Sequence, residues 1–149
     1  MINQTENLKK AKELLESGGY TVAMCSGEEL YTSTERGVKP LAKLVKDNRN
    51  MSGFSAADKV VGRAAAFLYV LLRVSEVYGS TMSKGAEMLL CSHGIKCSYG
   101  RLAEKIINRA GTGICPMENA VRDVPDDCPE KALAEILRTI KELSAEKNR

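Results

Sequence analysis

Apolar residues recur at helical spacing over Leu8 to Ser17, where Leu8, Ala11, Leu14 and Leu15 share one face and Gly18-Gly19 ends the pattern. The pattern then changes to short β-prone runs. Tyr20 to Cys25 and Glu29 to Thr34 flank a Ser26-Gly27-Glu28 turn and predict a hairpin. Pro40 suits the first turn of a helix carrying Leu41, Leu44 and Val45, and Asp47 to Gly53 is polar linker. The longest apolar stretch follows. Positions Ala64 to Leu72 are apolar on nearly every side, so the helix predicted across Ser55–Val74 is wrapped by protein. Ser55 and Asp58 form a capping-box pattern at its start, which places Asp58, Lys59 and Arg63 in its first two turns.

Beyond that helix, Glu76 to Thr81 predicts a strand, Ser83 to His93 a helix stopped by Gly94, and Ile95 to Tyr99 another strand. Residues 104–113 read as irregular. Cys115-Pro116-Met117-Glu118 opens a short helix, with cap, proline and acid in order. Residues 125–129 are turn-rich. Glu130 to Lys147 places Leu133, Ile136, Leu137, Ile140 and Leu143 on one face of a long amphipathic helix. Strands alternating with buried helices predict a single α/β domain over residues 1–149, with a mixed sheet in a three-layer sandwich.

Composition narrows the chemistry. The net charge of +3, from 22 Lys+Arg against 19 Asp+Glu, is too small and too evenly spread to indicate a nucleic-acid partner. No Trp and two Phe leave little material for base stacking. The N-terminus lacks an apolar signal-peptide core and no apolar run reaches membrane-spanning length, so a cytoplasmic location is expected. Five cysteines, an odd number, read as free thiols in a reducing compartment.

The order of elements resembles the cytidine-deaminase-like fold. The resemblance tightens in Glu35 to Leu41 (Glu-Arg-Gly-Val-Lys-Pro-Leu) and in Ala57 to Ala66 (Ala-Asp-Lys-Val-Val-Gly-Arg-Ala-Ala-Ala). It continues in Ile106 to Arg109 and in Gly113 to Glu118 (Gly-Ile-Cys-Pro-Met-Glu). Together these motifs resemble a family of small prokaryotic proteins of unknown function that shares this fold, a resemblance that spans a core of about residues 8–143. The resemblance implies that zinc chemistry is lost. Where a zinc deaminase has His or Cys, one residue, then Glu, this chain has Ala57-Asp58-Lys59. Ser83 and Ala86 stand where its two thiolates belong. Activating water on zinc needs three protein ligands and an open position, so zinc-dependent deamination is not expected.

The same resemblance implies a pocket where helix starts meet the carboxyl ends of the strands. Asp58, Lys59 and Arg63 line it on this reading, the cations suiting phosphate or carboxylate. Asn108 and Arg109 open a Gly-rich loop (Asn-Arg-Ala-Gly-Thr-Gly) that runs towards Glu118, and Arg36 with Lys39 forms a second cluster before a helix. Cys115, at a helix start, is the candidate nucleophile. Against it stand the lack of a nearby base in sequence and the plainer reading of a small buried cap completed by Glu118. Cys91, His93 and Cys97 fit no standard zinc spacing, and neither metal nor cofactor is expected.

The first functional reading is a zinc-free deaminase-like domain binding a nucleotide-like or other anionic small molecule. The alternatives are a non-catalytic interaction or regulatory domain and an enzyme dependent on Cys115. Related folds commonly dimerise through helices flanking the site, which implies a homodimer. The terminal helix is accounted for by covering the protein's own sheet.

Overall fold

The computed structural model describes residues 5–107, 111 and 113–147. Helix α1 (Glu6–Ser17) precedes a hairpin of β1 (Val22–Ser26) and β2 (Glu29–Ser33), then α2 (Lys39–Lys46). Next come β3 (Ser55–Val61), α3 (Arg63–Leu72), β4 (Glu76–Ser83), α4 (Lys84–Ser92) and β5 (Lys96–Ala103). Two helices end the chain, α5 (Pro116–Ala120) and α6 (Pro129–Lys147).

The strands form one mixed sheet in the order β2-β1-β3-β4-β5. β1 is antiparallel to both β2 and β3, whereas β3, β4 and β5 run parallel. The parallel steps pass through α3 and α4, as such connections require a crossover element. Alternation along the strands then divides the core in two. Val22, Met24, Ala56 and Val77 pack with α2, α3, α4 and α6, while Ala23, Cys25, Ala57 and Tyr78 face α1 with Leu8, Ala11 and Leu15. An α/β sandwich with a mixed sheet is therefore observed, with helices on both faces.

One element departs from the sequence reading. Ser55–Val61 is the central strand β3, and the buried helix begins only at Arg63. Ser55 does not cap it. It is the first residue of β3, its hydroxyl 3.3 Å from the Thr5 hydroxyl, and Asp58 and Lys59 sit on that strand, outside any first helical turn. Alanines in Ser-Ala-Ala-Asp-Lys-Val-Val favour a helix locally, but this segment is hydrogen-bonded between β1 and β4. Small side chains serve there because helices cover both faces. Gly62, extended at φ −99° and ψ −174°, separates strand from helix.

Thr5 fastens α1 to this sheet. Its side chain accepts from Leu8 N at 3.1 Å as the N-cap and donates to the buried Glu76 carboxylate at 2.9 Å. Replacing Thr5 with Ala removes the cap and leaves Glu76 without this donor. Urea unfolding is expected to show a loss of about 1–2 kcal/mol.

Candidate functional site

Three parallel strands end on one rim of the sheet, where sites in open α/β sheets commonly form. The carboxyl end of β3 runs through Asp58, Lys59 and Val60 into Gly62. The links leaving β4 and β5 bring Ser83 and Glu104 to the same rim. The β2–α2 link is tied there as well. Lys59 N donates to Thr21 O at 3.1 Å, and the Thr21 hydroxyl donates to Glu35 O at 2.6 Å. Arg36 and Lys39, both exposed, thus lie on the segment fastened beside exposed Lys59. Among the described residues none of these three cations makes an ion pair.

The start of α3 is already occupied, by the protein itself. Glu118 Oε1 accepts from Arg63 N at 2.7 Å and Oε2 from Ala64 N at 2.8 Å. A carboxylate is the natural partner for unpaired amides at the positive end of a helix dipole. Arg63 returns the connection. Its Nη1 donates to Val121 O at 2.7 Å, and its Nη2 donates to Val124 O and Asp126 Oδ1, both at 2.7 Å. The guanidinium also lies 5.1 Å from the Phe67 ring. Two glycines make room for this clasp. A Cβ on Gly62 would collide with the Glu118 carboxylate, and one on Gly85 would lie 2.9 Å from Arg63 Cδ. Arg63 and Glu118 are therefore brought together, with their polar atoms directed into the fold. The other helix start on the rim, that of α4, is capped by Ser83, which accepts from Ala86 N at 3.1 Å.

Asp58 has a different environment. Its Oδ2 accepts from the fully buried Tyr69 hydroxyl at 2.7 Å, and Oδ1 accepts from Val60 N at 3.3 Å. Burial raises the Asp58 pKa from 3.8 to about 7, against the opposing pull of these hydrogen bonds. Tyr69 moves up as well, first through burial and then through the adjacent carboxylate. The carboxyl of half-buried Asp58 thus changes charge near neutrality. Tyr69 was legible only as core, because nothing in the sequence placed its hydroxyl opposite Asp58.

The remaining sequence candidates are dispersed. Cys115 precedes α5, but its side chain makes no capping hydrogen bond, and Glu118 caps α3 where the sequence suggested its own short helix. A cap is a local pattern in sequence, whereas this one joins residues 55 apart. Asn108 and Arg109 lie outside the described residues. His93 Nε2 is 2.7 Å from Asp126 O, while the Cys91 and Cys97 sulfurs lie 3.9 Å apart. Among the described residues no group of three or more His, Cys, Asp or Glu is placed to hold a metal ion. Two open depressions, of about 340 and 470 Å³, lie at the opposite end of α3 and share Arg73. No helix among the described residues is long and apolar enough to cross a membrane.

The comparisons with known proteins agree with this architecture. The family model described as TM1506, a domain of unknown function (DUF1893), matches residues 10–141. The chain is also similar to a solved DUF1893 family protein, TM1506 from Thermotoga maritima, with 27% identity. That similarity covers 91% of this chain and 92% of the other, with a TM-score of 0.82. No curated protein matches.

Two outcomes follow from the charges at this rim. Glu118→Gln keeps one acceptor but loses the charge-assisted pair, and a destabilisation of about 1–3 kcal/mol is expected in denaturant titration. For Asp58 the folded pKa is the higher one, so the folded protein binds more protons than the unfolded chain between about pH 4 and 7. Stability then falls as pH rises through that window and levels off above it. Asp58→Asn is expected to flatten this slope, its stability relative to wild type being greater at pH 8 than at pH 5. Parallel slopes for both proteins would contradict the assignment.

Proposed function

The chain belongs to the DUF1893 family, a domain of unknown function, and on that footing we propose that it binds an anionic, nucleotide-like small molecule at the carboxyl rim of β3. The observation that carries this reading is the half-buried Asp58 carboxyl, hydrogen-bonded to Tyr69, on a rim whose segments also carry the exposed Arg36, Lys39 and Lys59. The three cations supply a diffuse positive edge for phosphate or carboxylate. Asp58 offers a hydrogen bond to a hydroxyl or ring nitrogen, accepting when ionised and donating when protonated. Arg63 and Glu118 act beneath as positioning residues, fixing the Gly62 turn from which the rim is built. Asn108 and Arg109 belong to this reading through the sequence alone. The proposal is one of binding, in a zinc-free deaminase-like setting, and includes no reaction step.

A second reading, a non-catalytic interaction domain that includes a homodimer, draws on a separate observation. Val60, Ile107 and Ile114 are 47%, 54% and 39% exposed, and Ile107 pairs with Ile114 in an isolated bridge. Exposed apolar side chains of this size suit a protein surface. The Cys115-dependent enzyme has less support, because no base is hydrogen-bonded to that thiol among the described residues.

Calorimetric titration with adenosine, AMP, ADP and inorganic phosphate tests the first reading, alongside native mass spectrometry of the purified protein. Phosphate-bearing ligands are expected to bind where adenosine alone does not. Lys59→Ala and Asp58→Asn should each weaken binding about tenfold while the far-ultraviolet circular dichroism stays unchanged. Absence of binding across the series, with a stable assembly in the native spectrum, would overturn this reading in favour of the second.

A further inference from the structure

At the end of the sheet opposite the rim, Cys91 in the last turn of α4 and Cys97 near the start of β5 bring their sulfurs within 3.9 Å. Cys91 is exposed and Cys97 is half-buried; both are free thiols. We propose that they form a reversible dithiol–disulfide site that reacts with low-molecular-weight disulfides of the glutathione class.

The backbone sets this proximity. Between the two cysteines the chain turns through Gly94 at φ +74°, a left-handed conformation that glycine adopts without strain. Gly94 N donates to Cys91 O at 3.0 Å and Ile95 N to Leu90 O at 3.0 Å. Ile95 is buried, and Cys97 is in register with Val77 of β4. Both thiols therefore project from hydrogen-bonded backbone. Closing the pair requires an approach of about 2 Å, which side-chain rotation supplies on the scale of disulfide geometry.

The exchange balances without another reagent. Cys91, the accessible thiol, loses its proton to solvent and attacks one sulfur of oxidised glutathione. The glutathione S–S bond breaks, and one glutathione leaves as a thiolate that takes up a proton. Cys97 then gives up its proton and attacks Cys91 Sγ in the mixed disulfide, forming the Cys91–Cys97 bond and releasing the second glutathione. Two protein thiols are oxidised and one small disulfide is reduced to two thiols. The Cys97 thiol is held well above its ordinary range by burial and then by the neighbouring Cys91 sulfur. Because little Cys97 thiolate is then present at neutral pH, its attack on the mixed disulfide is the slow step and quickens as pH rises.

The whole chain in a glutathione redox buffer, followed by intact mass and non-reducing tryptic mapping, tests the proposal. The expected product is about 2 Da lighter than the reduced chain. Its tryptic peptides 85–96 and 97–101 should be linked, because cleavage after Lys96 separates the two cysteines. A variant with Cys25, Cys115 and Cys128 changed to Ser should give the same link. Cys97→Ser should stall at a glutathione adduct on Cys91, about 305 Da heavier. If that variant fails to fold, the wild-type map decides alone. Unresolved adducts on Cys91 of the wild type, links involving other cysteines, or thiols that stay reduced in oxidising buffer would each overturn the site.

Discussion

The clasp between Arg63 and Glu118 governs how the second half of the chain is held on the first. A carboxylate from α5 fills the open amides of α3, and the Arg63 guanidinium from that same turn ties down carbonyls at 121 and 124 and the Asp126 carboxylate. Each charge satisfies backbone groups that burial would otherwise leave unpaired. Removing either side chain leaves its own backbone partners unpaired, at the α3 amides for Glu118 and at the carbonyls of Val121 and Val124 for Arg63. Through this unit the α5–α6 connection is fixed, and α6 is carried onto α3 with Ala132 and Ile136 in the core. A helix start that would otherwise be a ready anion site is thereby closed from within.

Beside the closed start of α3, the rim continues on β3. Asp58 precedes Gly62 on β3, and its partner Tyr69 lies two turns into α3, so a single hydrogen bond joins strand and helix across the crossover. Burial sets the charge of that carboxyl close to its switching point, whereas Arg36, Lys39 and Lys59 are exposed. Membership of a family of unknown function supplies the fold and leaves this chemistry to the residues themselves.

The two ends of the parallel strands do different work. The carboxyl rim collects charge and helix starts, and the amino end of β5 carries the adjacent thiols on the outside of α4. β5 is an edge strand with one neighbour, so its amino end is held by β4 on one side and by the α4 turn before it. A cross-link from Cys91 to Cys97 would tie the end of α4 to the start of β5.

The sequence by itself determined most of the elements and the class of fold. Leu8, Ala11 and Leu15 spaced as a helix, the Ser26-Gly27-Glu28 turn between β-prone runs, and the Leu133–Ile136–Ile140 face all formed as their periodicity required. Those signals are local, repeating over one or two turns. Tertiary structure decided the rest. Ser55–Val61 is too short and too rich in small residues to display a period, and it became the central strand because β1 and β4 needed a partner between them. Position 118 read as the third residue of its own helix, yet its carboxylate went to a helix start 55 residues away. Tyr69 read as one more apolar position on a buried helix, yet its hydroxyl found Asp58. Arg36, Lys39 and Lys59 were legible as charges, whereas strand register and the Thr21 hydrogen bonds decide that their segments reach one rim. Hydrophobic period is written along the chain; the pairing of polar atoms far apart in sequence depends on how the layers close, and no local pattern encodes it.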